Sequence, residues 1–261
     1  MGRRDSISVF MPAHNEAMNL EGAVLDVVAA AEERFEDYEI LIVDDGSTDG
    51  TGEVADRLTR EHPRIGVIHN TGKQGIAYGY RTALAQATKE YFAFLPGDRE
   101  VHAASVQAIF RAVGTADLVV PYHQNREARA WYRRVMTSVC TALLNALFAQ
   151  RLRYYQGPAV YATSLARQLP TTTRGFFFLT EMLVHALRRG CTYVEVGLIH
   201  QERAYGRSKA VGLSNIVVAL QTILGLWWRV CVRKASPVAQ TPGLDEPDAN
   251  RGALLDTRMK R

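Results

Sequence analysis

The most constraining feature of this chain is the alternation in its first half. Short β-branched or aromatic runs, Ile7 to Met11, Tyr38 to Val43, Ile65 to His69, Tyr91 to Leu95 and Leu118 to Val120, each end in polar or turn residues and read as buried strands. Between them Leu20, Val24, Val27, Val28 and Ala31 recur at helical spacing behind a candidate cap at Asn19, and Val54 to Leu58 and Ile76 to Ala87 also read as helix. Strand and helix in turn predict an α/β fold with a mostly parallel, doubly wound sheet. Apolar residues at 47% and charged residues at 22% of 261 suit a chain that folds around a core and argue against disorder.

In an open parallel sheet a ligand lies beyond the carboxyl ends of the strands, so the residues after each strand carry the functional information. The first such segment, Pro12-Ala13-His14-Asn15-Glu16, has no glycine, which argues against a dinucleotide pyrophosphate at that turn. The second, Asp44-Asp45-Gly46-Ser47-Thr48-Asp49-Gly50-Thr51, places two carboxylates side by side before residues suited to a turn and a helix cap. Two carboxylates at a buried strand end repel unless each finds a donor, such as a base N–H or a ribose hydroxyl. The third puts Lys73 between Gly72 and Gly75, within reach of an anion near the backbone. In the fourth, Pro96-Gly97-Asp98-Arg99-Glu100, Asp98 and Glu100 can both face a hard cation such as Mg²⁺ or Mn²⁺, or form an ordinary polar turn ahead of a helix near Ala103.

Taken together, Val9 to Glu16, Val43 to Thr51 and Gly72-Lys73 resemble the family 2 glycosyltransferases of GT-A fold, in the branch of the dolichol-phosphate-mannose synthases and polyprenyl-phosphate glycosyltransferases. The likeness runs over about residues 6 to 234. It implies that Pro12, Ala13, Asn15, Glu16, Asp44 and Asp45 hold the nucleoside of a GDP- or UDP-type sugar donor, with Lys73 near the base or diphosphate. It also implies that Asp98 matches the last aspartate of the family's Asp-X-Asp metal motif, with Glu100 a further metal-facing residue. Pro96 stands where the first aspartate of that motif would be, which removes one ligand. Members of the family look like inverting enzymes, and what supplies their nucleophile depends on the acceptor. A hydroxyl needs a general base, whereas a phosphate monoester is already anionic near neutral pH and needs positioning and cations.

The second half offers cations for such an acceptor. Arg126, Arg129, Arg133 and Arg134 precede or begin a helix read over Trp131 to Phe148, and guanidinium forks match phosphate oxygens. Arg203, followed by Gly206-Arg207-Ser208-Lys209, resembles an Arg…Gly-X-Ser-Lys element of the branch, which assigns phosphate contacts to Arg203, Ser208 and Lys209. Glu181 lies near where relatives carry an acidic residue by the acceptor, and it is the one candidate base. Phe176 to Leu187 reads as helix and Thr192 to Leu198 as strand.

Ala210 to Trp228 carries no charge over nineteen residues. A helix over Val211 to Val232 would run roughly 33 Å, with Ser214, Asn215, Gln221, Thr222 and Arg229 on one stripe and apolar residues around the rest. That pattern suits a helix lying in a membrane interface, with a single span or a covered helix as the other readings. The expected organisation is a catalytic domain over 1–209, divided near 121 into a donor half and an acceptor half, an amphipathic helix over 210–234 and a mobile tail from 235.

A formal charge of +4 is too mild to indicate nucleic acid. Three widely spaced cysteines suit a reducing compartment, and residues 1–10 lack a signal-peptide pattern. The expectation is therefore an inverting transferase at the cytoplasmic face of a membrane, moving a sugar onto a polyprenyl-phosphate-like lipid with Mg²⁺ or Mn²⁺. A soluble hydroxyl acceptor, for which Glu181 would be required, and a nucleotide-sugar-binding protein without catalysis are the competing expectations.

Overall fold

A computed structural model of the chain describes residues 5–125, 127, 131–173, 175–201 and 214–232, with 214–220 described by their backbone alone. The elements follow in the order β1 (Ser6–Ala13), α1 (Leu20–Arg34), β2 (Asp37–Asp44), α2 (Thr51–Glu61), β3 (Ile65–His69), α3 (Ile76–Gln86), β4 (Tyr91–Phe94), α4 (Ala103–Ala112) and β5 (Leu118–His123). They continue through α5 (Trp131–Phe148), β6 (Val160–Ala162), α6 (Thr163–Ala166), α7 (Phe177–Arg188), β7 (Tyr193–Leu198) and α8 (Ser214–Trp227), which ends in a π-helical turn over Trp228–Val232. The five strands and the helices read from the first half are all present, as are the helix from Trp131 and the later helix and strand.

The strands form one seven-stranded sheet in the order β3-β2-β1-β4-β6-β5-β7. β1 pairs in parallel with β2 and β4, β2 with β3, and β5 with β7, whereas β6 runs antiparallel to both its neighbours. The sheet is thus mostly parallel, as the alternation predicts. β6 escaped the sequence reading because three residues carry no usable period and its place depends on partners far along the chain.

Alternation along the strands sorts the core into two layers. Ile7, Val9 and Met11 of β1 and Ile40 and Ile42 of β2 pack with Leu20, Val24 and Val27 of α1 and with Ile109 and Phe110 of α4. Phe10, Leu41 and Val43 face the opposite way, toward Tyr80 of α3, Phe178 and Met182 of α7, and Ile223, Leu226 and Val230 at the end of the chain's described part. Tyr80 anchors this second layer through edge contacts with Phe10 and Phe92, at ring separations of 5.8 and 5.1 Å.

One local expectation changes. Asn19 does stand at the start of α1, but its side chain accepts no helix N–H; its Nδ2 donates to Glu16 Oε2 at 2.8 Å instead. Over its residues with described side chains, the C-terminal helix carries apolar residues both toward the protein and away from it. Ile223, Leu226 and Val230 are buried in the protein, while Leu224, Trp228 and Val232 remain about half exposed. Among the described residues no helix is long and apolar enough to cross a membrane. The tail from 235, the basic residues Arg126, Arg129, Arg203, Arg207 and Lys209, and Ser208 lie outside the described residues.

Candidate active site

Parallel pairing in register brings the ends of β1, β2 and β3 to one edge: Ala13 lies opposite Asp44, and Asp44 opposite His69. β4 joins them through Phe10 opposite Phe94. Four segments distant in sequence therefore meet in space, as the sheet topology requires.

The first two loops are stitched together. Asn15, held at φ 57°, donates its N–H to Ser47 Oγ at 3.0 Å and accepts from Thr48 N–H through Oδ1 at 2.9 Å. The N–H groups of Glu16 and Ala17 donate to Thr51 Oγ1 at 2.8 Å and Asp49 Oδ2 at 3.2 Å. Gly46 has φ 69°, and a Cβ there would lie 2.7 Å from Gly72 Cα. Both the conformation and the close approach require glycine, and the contact fixes the loop bearing Lys73 against the Asp-Asp turn.

The two adjacent carboxylates are satisfied by the protein itself. Asp45 accepts from Asn70 Nδ2 at 2.9 Å and Gln74 N–H at 2.7 Å through Oδ1, and from Gly75 N–H at 2.9 Å through Oδ2. Asp44 accepts from Ser47 N–H at 3.1 Å through Oδ1 and meets His69 Nδ1 at 3.1 Å through Oδ2. His69 reaches Asp56 Oδ1 at 3.1 Å with its other nitrogen. Burial, the largest single influence on His69, lowers its pKa, but the hydrogen bonds and charges of Asp44 and Asp56 together outweigh it and hold the pKa above 6.5. The sequence reading expected donors for this pair and looked for them on a ligand; it gave His69 no role.

These loops frame a cavity of about 260 Å³. Of the residues expected to bind the donor, Pro12, Ala13, Glu16, Asp45, Lys73 and Asp98 line it, and His14, Pro96 and Phe176 join them. Asn15 and Asp44 lie behind the lining and shape it. Asp98 accepts the Glu100 N–H at 3.1 Å through Oδ1, and Gly97 N–H donates to Pro12 O at 3.2 Å, tying the turn to the end of β1. Glu100 is 3.9 Å from His200 Nδ1 and does not line the cavity. Among the described residues no three metal-ligating side chains converge. The donor set is instead one carboxylate facing the cavity and a second two residues away. Hard oxygens in that number fit Mg²⁺, which keeps waters and shares phosphate oxygens, better than a transition metal needing an all-protein cage.

Glu181, the candidate base, sits elsewhere. It is 2% exposed, and its two oxygens accept from the N–H and hydroxyl of both Thr172 and Thr173 at 2.6 to 3.0 Å. Arg229 Nη2 stands 3.6 Å from it. A carboxylate engaged by four donors is a loop anchor, and Glu181 does not line the cavity.

A second cavity, of about 430 Å³, opens between the end of β5 and α5. Arg134, Ser138 and Asn145 line it from α5, facing His123, Arg153 and Tyr154. Arg153 stacks on Tyr122 at 4.5 Å and stands 3.6 Å from Glu195. Arg133, one position before Arg134, does not line it. The sequence reading found Arg134 and missed Arg153, which follows α5 in a stretch without periodicity.

The helix α5 that lines this second cavity also carries exposed apolar residues. Trp131, Tyr132, Val135 and Val139 of α5 are 44 to 71% exposed, one to two turns apart on one face. α5 packs beside α8, which with its π-helical continuation exposes Leu224, Trp228 and Val232, spaced one turn apart.

Comparisons with known proteins bear on the fold and the family. Undecaprenyl-phosphate mannosyltransferase of Micrococcus luteus is 28% identical over 228 residues, covering 79% of this chain and 88% of that protein. Polyprenol monophosphomannose synthase of Mycolicibacterium smegmatis is 29% identical over 226 residues, covering 81% and 83%. Among solved structures, glucosyl-3-phosphoglycerate synthase of Mycobacterium tuberculosis, in complex with Mn²⁺, uridine diphosphate and glucosyl-3-phosphoglycerate, superposes with a TM-score of 0.66 at 17% identity, over 87% of this chain and 80% of that one. The same protein has been crystallised with Mg²⁺ and uridine diphosphate. At that identity the likeness concerns the fold. The family model described as Glycosyl transferase family 2 matches residues 8–169, which takes in all four strand-end loops of the donor-side cavity, and the chain belongs to that family as a glycosyltransferase of GT-A fold.

Proposed function

We propose that this enzyme transfers a sugar, with inversion, from a nucleotide-diphosphate sugar of GDP or UDP type to the phosphate of a polyprenyl-phosphate-like lipid at the cytoplasmic face of a membrane. An oxygen of the acceptor phosphate attacks the anomeric carbon, the bond from that carbon to the donor diphosphate breaks, and the nucleoside diphosphate leaves. A phosphate monoester carries about −1.5 to −2 charges near neutral pH, so the attack needs no proton removed by the protein. This agrees with Glu181 being committed to Thr172 and Thr173.

The observation that carries the reading is the second cavity. Arg134 and Arg153 supply positive charge on its wall, and α5, which carries Arg134, also exposes Trp131, Val135 and Val139. A charged head group with a long hydrocarbon tail demands that pairing of surfaces. The named relatives act on undecaprenyl phosphate and polyprenol phosphate by their names, which supports the same acceptor class here.

On the donor side, Pro12, Ala13, Asn15, Glu16, Asp44 and Asp45 form the nucleoside cradle, with Lys73 at its rim. Asp98, with Glu100 nearby, would hold Mg²⁺ or Mn²⁺, whose charge, when bound, stabilises the departing diphosphate. Arg126, Arg129, Arg133, Arg203, Ser208 and Lys209 would add phosphate contacts.

Purified protein incubated with a panel of nucleotide sugars, with and without polyprenyl phosphate in anionic vesicles, tests the proposal by mass spectrometry of the lipid. One glycosyl residue added to the lipid phosphate is the expected product. Transfer to a soluble hydroxyl compound with none to the lipid would refute the acceptor.

A further inference from the structure

The turn carrying Asp98 and Glu100 is built around the residue between them. Arg99 has φ 57° and joins Asn15 and Ala149 as the described non-glycine residues in the left-handed region, a conformation that ordinary side chains disfavour. Its side chain reaches back across α1. Nε and Nη2 meet Asp26 Oδ2 and Oδ1 at 3.0 and 3.4 Å. The guanidinium lies directly on Gly22, one helical turn before Asp26, where a Cβ would stand 2.6 Å from Nη1 and 2.8 Å from Cζ.

The rest of the turn is held from two other sides. The Arg99 carbonyl accepts from Gln201 Nε2 at 2.7 Å, and the Glu100 carbonyl accepts from Gln201 N–H at 2.9 Å. Gly97 N–H is bound to Pro12 O. β1, α1 and the segment after β7 therefore converge on the four residues Gly97 to Glu100, of which Gly97 and Asp98 line the donor cavity.

A half-exposed ion pair adds little to stability, and here it is made from a disfavoured backbone conformation. Such an arrangement is retained at functional sites where the surroundings over-determine it. Pro96 leaves the turn with one fewer acidic side chain than the family motif provides, so the direction of the remaining carboxylates matters more.

The geometry points to Arg99 as a positioning residue: braced on Asp26 across Gly22, it holds Asp98 in the orientation from which it receives a divalent cation. The inference rests on the metal role given to Asp98 under the proposed function. Outer partners that orient first ligands typically account for 10- to 100-fold in metal affinity, which sets the size of the effect.

The test is Mn²⁺ binding to the full chain, followed by the loss of free-ion paramagnetic resonance signal, with GDP and with UDP in turn. Gly22→Ala is the most discriminating variant. The added methyl displaces the flexible end of Arg99 from Asp26, yet alanine is the better helix residue, so the melting temperature holds or rises while Mn²⁺ binding weakens roughly 10-fold or more. Asp26→Asn and Arg99→Gly give the same loss by removing the partner and the guanidinium, and Arg99→Lys recovers part of it. A merely structural Arg99 would instead lower the melting temperature and leave Mn²⁺ affinity alone. Affinity within about twofold of wild type in both Gly22→Ala and Asp26→Asn overturns the inference. Asp98→Asn separates the two levels. If it abolishes Mn²⁺ binding while the Arg99 variants do not, only the positioning role falls. If it binds Mn²⁺ like wild type, or the wild type binds none, the metal reading falls with it.

Discussion

At the scale of single residues, the donor cavity is shaped by carboxylates whose hydrogen bonds go to the protein's own loops. Asp44, Asp45 and Asp98 each accept at least one backbone N–H, so their directions are set before any ligand arrives, which is the condition for electrostatic stabilisation without reorganisation. Asp98→Asn removes one of the carboxylate charges lining the cavity and is expected to lower the turnover number by about 100-fold or more, measured as lipid product formed under saturating donor. Glu181→Gln separates an anchor from a base. An amide can satisfy only part of the four donors from Thr172 and Thr173, so unfolding in urea should show a loss of about 2–3 kcal/mol. Turnover per folded molecule should stay within about threefold, whereas removing a general base would cost 100-fold or more. His69 adds a pH dependence. Its pKa is raised in the folded protein, so the stability it contributes is fully present below about pH 6.5 and is lost as pH rises through the raised value. The difference in melting temperature between wild type and His69→Gln is expected to be largest near about pH 5.5 and to close by about pH 9.

At the scale of elements, the end of the chain's described part shows how one apolar helix can serve two surfaces. Ile223, Leu226 and Val230 enter the layer that also holds Tyr80, Phe178 and Met182, and Arg229 donates to Thr172 Oγ1 at 3.0 Å. Leu224, Trp228 and Val232 point away from that layer. The two rows predict opposite phenotypes. Leu226→Ala is expected to destabilise the fold by about 2–4 kcal/mol and to leave lipid binding in proportion to the folded fraction. Replacing Leu224 and Trp228 by serine should leave stability within about 0.5 kcal/mol while weakening sedimentation with anionic vesicles about 10-fold. The apolar run itself was legible in the sequence, because an uncharged stretch of that length is visible without partners. Its division into an inward and an outward row was not, since the positions of α5 and α7 decide which residues are covered. The exposed stripe on α5 was missed for the same reason: Trp131, Val135 and Val139 read equally well as core.

At the scale of the whole molecule, most of the donor half could be read from the chain. Strands β1 to β5 announce themselves through β-branched runs, and parallel pairing then dictates that Ala13, Asp44, His69 and Phe94 end near one another. Gly46 and Gly72 stood out as motif residues, although their backbone contact, at 2.7 Å for a hypothetical Cβ, was visible only in three dimensions. What the sequence concealed depends on distant pairs. The antiparallel β6 is defined by β4 and β5, Arg153 by Tyr122 and Glu195, and Arg99 by Gly22 and Asp26. Each of these has weak local character and gains its role from a partner at least thirty residues away. The acceptor side is less legible than the donor side because its cationic wall draws on a helix and an irregular segment, without the strand-end register that orders the donor loops.

A crystal structure of the protein with Mn²⁺ and either GDP or UDP tests the central claim most directly. The nucleoside is expected between the β1 and β2 loops, with the diphosphate on the Asp98 side of the same cavity and the open path from its outer phosphate leading toward Arg134 and Arg153. A nucleotide seated anywhere other than the edge where the four parallel strands end would contradict it.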